Sequence, residues 1–193
     1  IFVRPKPIAN ITANTSLIHI DAQYVTEAFP ILPVLFFDSN SDTISEYFNI
    51  IKSDKNYSTD SLESNPLVFN KNILNIIGER MKKHPKAQIT IKGYADSLTE
   101  NSDCHLAYKR ALTVRNILNQ VWGVDTNRVK IINNRTNCFP EEATFTENDS
   151  GFAENRRIEI YSSDNEILSP INRKQFSEIK DYSPKELCFD PAG

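Results

Sequence analysis

The chain has 193 residues and a net charge of −3, so it carries no general electrostatic footprint for nucleic acid. Hydrophobic residues make up 39%, and eleven Phe with seven Tyr can build a core for one domain of ordinary size plus appendages, or for two very small ones. Five glycines are too few for a glycine-rich nucleotide site, and no window approaches the run of about eighteen apolar residues that reads as a membrane span.

Residues 1–27, "IFVRPKPIANITANTSLIHIDAQYVTE", begin Pro-rich and turn strand-like at "SLIHIDA", so they read as a linker or the last strand of an upstream domain. With no initiator Met, signal peptide or lipidation cysteine at its start, the chain reads as a fragment of a longer protein. In "FPILPVLFFDSNSDTI" two prolines frame an apolar run, and "VLFFD" predicts a buried strand. The Ser/Asp-rich stretch 52–65 predicts an exposed loop. "NKNILNIIGERMKKHP" predicts one helix: Ile73, Ile76, Ile77 and Met81 recur at helical spacing, cations collect at its carboxyl end, and Pro85 stops it. "AQITIKGYAD" alternates as a strand, and about 104–121 predicts a second helix. "NRVKIIN" predicts a strand, 133–154 a long polar loop, and "NRRIEIYSS" a final strand. The order strand–helix–strand–helix–strand–strand implies an α+β sandwich with helices on one sheet face. Residues 164–193 lack a consistent period and read as a tail or the start of a following domain.

The residues that carry metal and nucleophile chemistry are scattered. Cys104, Cys138 and Cys188 match no metal spacing; they are either reduced, partly buried thiols or, in an oxidising compartment, one pair and an orphan. His19, His84 and His105 form no HxxxH or HExxH pattern. Ser41, Ser45, Ser97 and Ser102 lack a G-x-S-x-G context, and Glu141 and Glu142 have no partner that would make them an acid–base pair. No enzyme and no cofactor is expected.

One pairing stands out. The strand ends on Asp96, and Arg110 follows fourteen residues later in the first turns of a helix. Strand ends and helix starts both lie on the rim of an α+β layer, so the two side chains can converge on one cleft. Arg offers a planar fork matched to a carboxylate, and Asp accepts from an ammonium group. Together they would orient a zwitterionic headgroup. The plain alternative is a surface ion pair across an ordinary strand–loop–helix connection.

"VLFFDSNSDTI", "ITIKGYADSLTENSDCHLAYKRALTVRNIL" and "ENRRIEI" resemble, in order, the signatures of the OmpA C-terminal-like family, which includes peptidoglycan-associated lipoproteins and flagellar stator proteins. The resemblance covers residues 28–163 and implies helices packed on one face of a mixed sheet. It implies non-covalent binding of the diaminopimelate headgroup of the peptidoglycan stem, with Asp96 and Arg110 as the two charges, Asn40 in the first loop and Arg156 in the last motif. Phe37, Leu106 and Ala111 are expected to pack, Asp38 to serve turn amides, and Asn155 and Arg157 either to brace loops or to touch the ligand. The implied compartment is the periplasm, in a larger protein associated with the outer membrane; this fragment is not expected to insert into a membrane. In that compartment a Cys104–Cys138 disulfide is expected, with Cys188 free or paired outside the fragment.

The sequence departs from the family pattern at the pocket. Ala95 stands where the family has Thr, Asp103 where it has Asn, and Ala107 where it has Ser; the glycine turn is missing and the loop is one residue shorter. Ala95 and Asp103 therefore belong to the candidate ligand-binding set. The departures keep a second expectation open, an OmpA-like fold with a degenerate pocket acting as a structural or protein-interaction domain. The long segment before the first helix resembles a long-insert branch of multi-domain envelope proteins, so other domains of the parent chain are expected partners.

Overall fold

The computed structural model describes residues 19–100, 104–132, 138–140 and 149–183. In chain order the elements are β1 (His19–Phe29), β2 (Val34–Phe36), α1 (Pro66–Lys71), α2 (Ile73–Lys83), β3 (Ile89–Gly93), α3 (His105–Trp122), β4 (Val129–Ile132), α4 (Asp149–Asn155), β5 (Arg157–Ser162), α5 (Asn165–Leu168) and β6 (Ile171–Ser183). Backbone contacts divide the chain into two units, Ile1–Glu27 with Asn172–Gly193, and Ala28–Ile171. β1 and β6 form a two-stranded sheet.

The larger unit is α+β with a mixed sheet, in the order β2-β5-β3-β4. β3 runs parallel to β4 and antiparallel to β5, which is antiparallel to β2. Alternation on β3 and β5 puts Ile89, Ile91, Ile158 and Ile160 on one face, where they pack with Ile73, Ile77 and Met81 of α2 and Ala111, Val114 and Leu118 of α3. That face is the core.

Local chemistry fixes where the helices begin and end. Asn65 Oδ1 accepts from the Leu67 amide at 2.9 Å and Pro66 opens α1. The single helix expected over 70–85 is broken at Asn72, which leaves helical geometry while its side chain donates back to the Val68 carbonyl. Arg128 reaches from the start of β4 to the carbonyls of Met81, His84 and Ala87, satisfying groups at the end of α2. α3 ends at Gly123, whose φ of 65° places it in the left-handed region.

Three other expectations need correction. The 52–65 stretch is not wholly an exposed loop: Thr59 is buried, bonded through its amide and hydroxyl to Glu79, and Tyr57 packs edge-on against Trp122. A buried acid at residue 79 needs those donors, so the loop is drawn in. Residues 149–154 of the expected polar loop belong to α4. β5 is not the last strand, because α5 and β6 follow it.

Candidate functional site

Arg110 lies on the buried stripe of α3, between Ala107 and Val114, and has no exposed surface. Its Nε donates to the Ser41 carbonyl at 2.9 Å, and its Nη1 and Nη2 donate to the carbonyls of Tyr94 and Asp38 at 2.9 and 3.1 Å. The remaining two N–H groups grip one carboxylate: Nη1 reaches Glu100 Oε2 at 2.8 Å and Nη2 reaches Oε1 at 2.5 Å. A guanidinium has five N–H donors, and all five are engaged. The Phe37 ring lies 5.3 Å from the guanidinium carbon.

Glu100 receives two further donors. The Asn40 amide bonds Oε1 at 2.9 Å and the Asp96 amide bonds Oε2 at 3.0 Å. Four hydrogen bonds from three chain segments thus converge on one carboxylate, 7% exposed as a residue. Burial pushes the Glu100 carboxyl up, but the Arg110 fork and the two amides outweigh it and hold the group below its usual range.

Asp96 is 1% exposed and organises the loop that carries Glu100. Its Oδ2 accepts from the Leu98 amide at 3.1 Å and from the Thr99 amide and hydroxyl, both at 2.7 Å. Its Oδ1 accepts from Asn155 Nδ2 at 2.9 Å. Burial pushes this carboxyl up as well; the bonds from Thr99, Asn155 and Leu98 bring it below the ordinary value.

The structure therefore brings Asp96, Arg110 and Asn40 together, but through Glu100. The space expected to hold a guest between the two charges holds Glu100, and both charges have internal partners. Asn40 contributes its main-chain amide, at φ 54° in the left-handed region, while its side chain bonds the Ser39 hydroxyl. Arg156 braces the end of β2: its Nε donates to the Phe37 carbonyl at 3.4 Å and its own carbonyl accepts the Phe37 amide at 2.8 Å. Ala95 was expected on the pocket rim. It is instead fully buried, packed with Cys104, Ala107 and Cys138. Asp103 lies outside the described residues. Arg157 pairs with Glu159 at 2.7 Å. Asp38 meets the site through its main-chain carbonyl.

Cys104 and Cys138 form a disulfide, with Cα atoms 5.4 Å apart, and the Cys138 carbonyl accepts the Ala95 amide at 3.0 Å. The bridge ties the start of α3 to the chain beyond β4. Cys188 lies outside the described residues. No group of three His, Cys, Asp or Glu among the described residues could hold a metal ion, and no helix among them is long and apolar enough to cross a membrane.

Glu100 escaped the sequence reading, although a signal for it existed. Arg110 falls at helical spacing with Ala107 and Val114, so a charge sits on the apolar stripe and must have a buried partner. The acids of the preceding loop, Glu100 and Asp103, are the candidates for that partner.

Strand end, helix start and a carboxylate held by an arginine fork define a site on the rim of an α+β layer. Residues 68–157 match a family model described as the OmpA family, in accord with the motif resemblance. The fold is similar to that of the peptidoglycan-associated lipoprotein from Burkholderia pseudomallei, at 18% identity and a TM-score of 0.48, covering 67% of this chain and 89% of that one. It is similar to the C-terminal domain of Helicobacter pylori MotB, at 18% identity and a TM-score of 0.43, covering 73% and 88%. The OmpA-like domain of FopA1 from Francisella tularensis aligns at 17% identity and a TM-score of 0.41, covering 79% and 78%. No curated protein matches the chain.

Proposed function

We propose that residues 28–163 bind peptidoglycan non-covalently, through the diaminopimelate headgroup of the peptide stem, and so hold a larger envelope protein to the cell wall. One observation carries the reading: the Arg110 fork and the amides of Asn40 and Asp96 form a four-donor seat for a carboxylate. Beside that seat is Asp96 Oδ1, which accepts one hydrogen bond and can accept a second, from a ligand ammonium group. Diaminopimelate carries both groups on one carbon. The disulfide fits an oxidising compartment such as the periplasm. Nothing in this reading requires turnover.

Retention on insoluble peptidoglycan tests it. The protein should sediment with the wall, and a soluble diaminopimelate-containing stem peptide should compete it off better than a lysine-type peptide, which lacks the second carboxylate. Absence of retention, or equal competition by the two peptides, contradicts the reading.

A second reading, an OmpA-like fold with a degenerate pocket serving as a structural or protein-interaction domain, is favoured by the engagement of all five Arg110 donors within the chain. It expects no competition by either peptide.

A further inference from the structure

The donors around Glu100 belong to a receptor, while Glu100 belongs to a loop. Asn40 follows β2, Asp96 follows β3 and Arg110 is on α3, so the seat is assembled by the ends of three elements. The acceptor arrives on a short segment folded back by the Asp96 turn, whose Leu98 side chain is 64% exposed. Each carboxylate oxygen takes one charged and one main-chain donor. A free carboxylate could receive the same four bonds unchanged.

We propose that Glu100 is a tethered surrogate for the ligand's carboxylate, so that the seat is occupied by its own chain and a ligand binds by displacing Glu100. This rests on the reading that the seat receives a carboxylate from the ligand. The exchange breaks four hydrogen bonds and makes four, so it gains nothing by itself. A group tethered by a few residues competes at an effective concentration of at least millimolar order. A simple carboxylate therefore loses to Glu100. A ligand that adds an ammonium contact at Asp96 wins, because that contact has no counterpart in the occupied state. Glu100 is in this sense a specificity-determining residue: it rejects anions that offer a carboxylate alone.

The test compares the 193-residue protein with Glu100→Ala and Glu100→Gln variants. Acetate reproduces the group that Glu100→Ala removes. In thermal melts at constant ionic strength, acetate should raise the midpoint of Glu100→Ala saturably relative to chloride and leave the native protein unmoved. A diaminopimelate-containing tripeptide should bind Glu100→Ala at least about tenfold tighter than the native protein, with the gain set by the competitor removed. Glu100→Gln retains the shape and one acceptor, and should fall between the two; if Glu100→Ala does not fold, tripeptide affinity of Glu100→Gln above the native value is the expected result. Equal tripeptide affinity in all three proteins, or weaker binding by the variants, overturns the proposal while leaving peptidoglycan binding intact. Acetate stabilising Glu100→Ala with no tripeptide binding by any of the proteins upholds the surrogate and removes the stem peptide as its ligand. Acetate acting equally on native protein and variant overturns the surrogate.

Discussion

Arg110 and Glu100 form a buried pair whose neighbours limit what a mutation can report. Removing one partner of such a pair leaves an uncompensated charge, at a cost of about 3–5 kcal/mol. Arg110→Ala would also orphan the carbonyls of Tyr94, Asp38 and Ser41. Lost wall binding in that variant would report unfolding, which makes Glu100 the informative position. Its carboxyl is held below its usual range in the folded state, so it contributes stability that is complete above the unfolded value, near 4.3, and lost as pH falls through the folded value. The difference in urea midpoint between native protein and Glu100→Gln should be largest at pH 7 and shrink below about pH 4. A difference independent of pH would contradict the charged pairing. Asp96 and Arg110 were legible because strand and helix periodicity mark their positions. The part played by Asn40 was not, since an amide contributes the same main-chain donor whatever its side chain. Ala95 was misplaced because a motif gives a position in the chain and not the packing around it, and this side chain is buried among Cys104, Ala107 and Cys138.

The elements hold the seat by close approach and by a covalent tie. An added Cβ on Gly93 would lie 1.9 Å from the Ala107 carbonyl oxygen, so β3 and α3 meet where only hydrogen fits. Gly93→Ala must push α3 away from the sheet, and with it Arg110. Overpacking of this kind costs about 1–3 kcal/mol or more, measurable by urea unfolding. An unchanged midpoint would mean that the two elements separate freely. The Cys104–Cys138 bridge spans 34 residues. In the chain-entropy model a loop of that length stabilises by about 3–4 kcal/mol, so a Cys104→Ser/Cys138→Ser double variant should lose stability on that scale. A loss below about 1 kcal/mol would show that the bridge constrains the unfolded chain little. At this scale β3, α3, β4 and β5 were readable from period and length. α4 was not, because its seven residues, "DSGFAEN", hold one large apolar side chain and form no stripe. The break at Asn72 was hidden inside an apolar repeat that continues across it, and β6 pairs with a strand from the other end of the chain.

Among the described residues, the core clusters and the carboxylate seat all lie within Ala28–Ile171. We therefore expect a fragment of residues 28–171 to unfold in one cooperative transition near that of the full chain, by circular dichroism; a fragment without a transition would contradict its independence. On the proposed reading, a single seat that must expel its own glutamate would bind modestly, and many copies facing a polymeric wall would gain by avidity. The most direct test of the account is a titration of the oxidised, isotopically labelled 193-residue protein with a diaminopimelate-containing tripeptide, following backbone amides by nuclear magnetic resonance. The Asn40 and Asp96 amides, which bond Glu100, should move saturably by roughly 10 mM ligand, where even a binding energy of about 3 kcal/mol registers. Amides that stay still throughout, or shifts confined to surfaces away from these two residues, would contradict a carboxylate seat that opens to the wall.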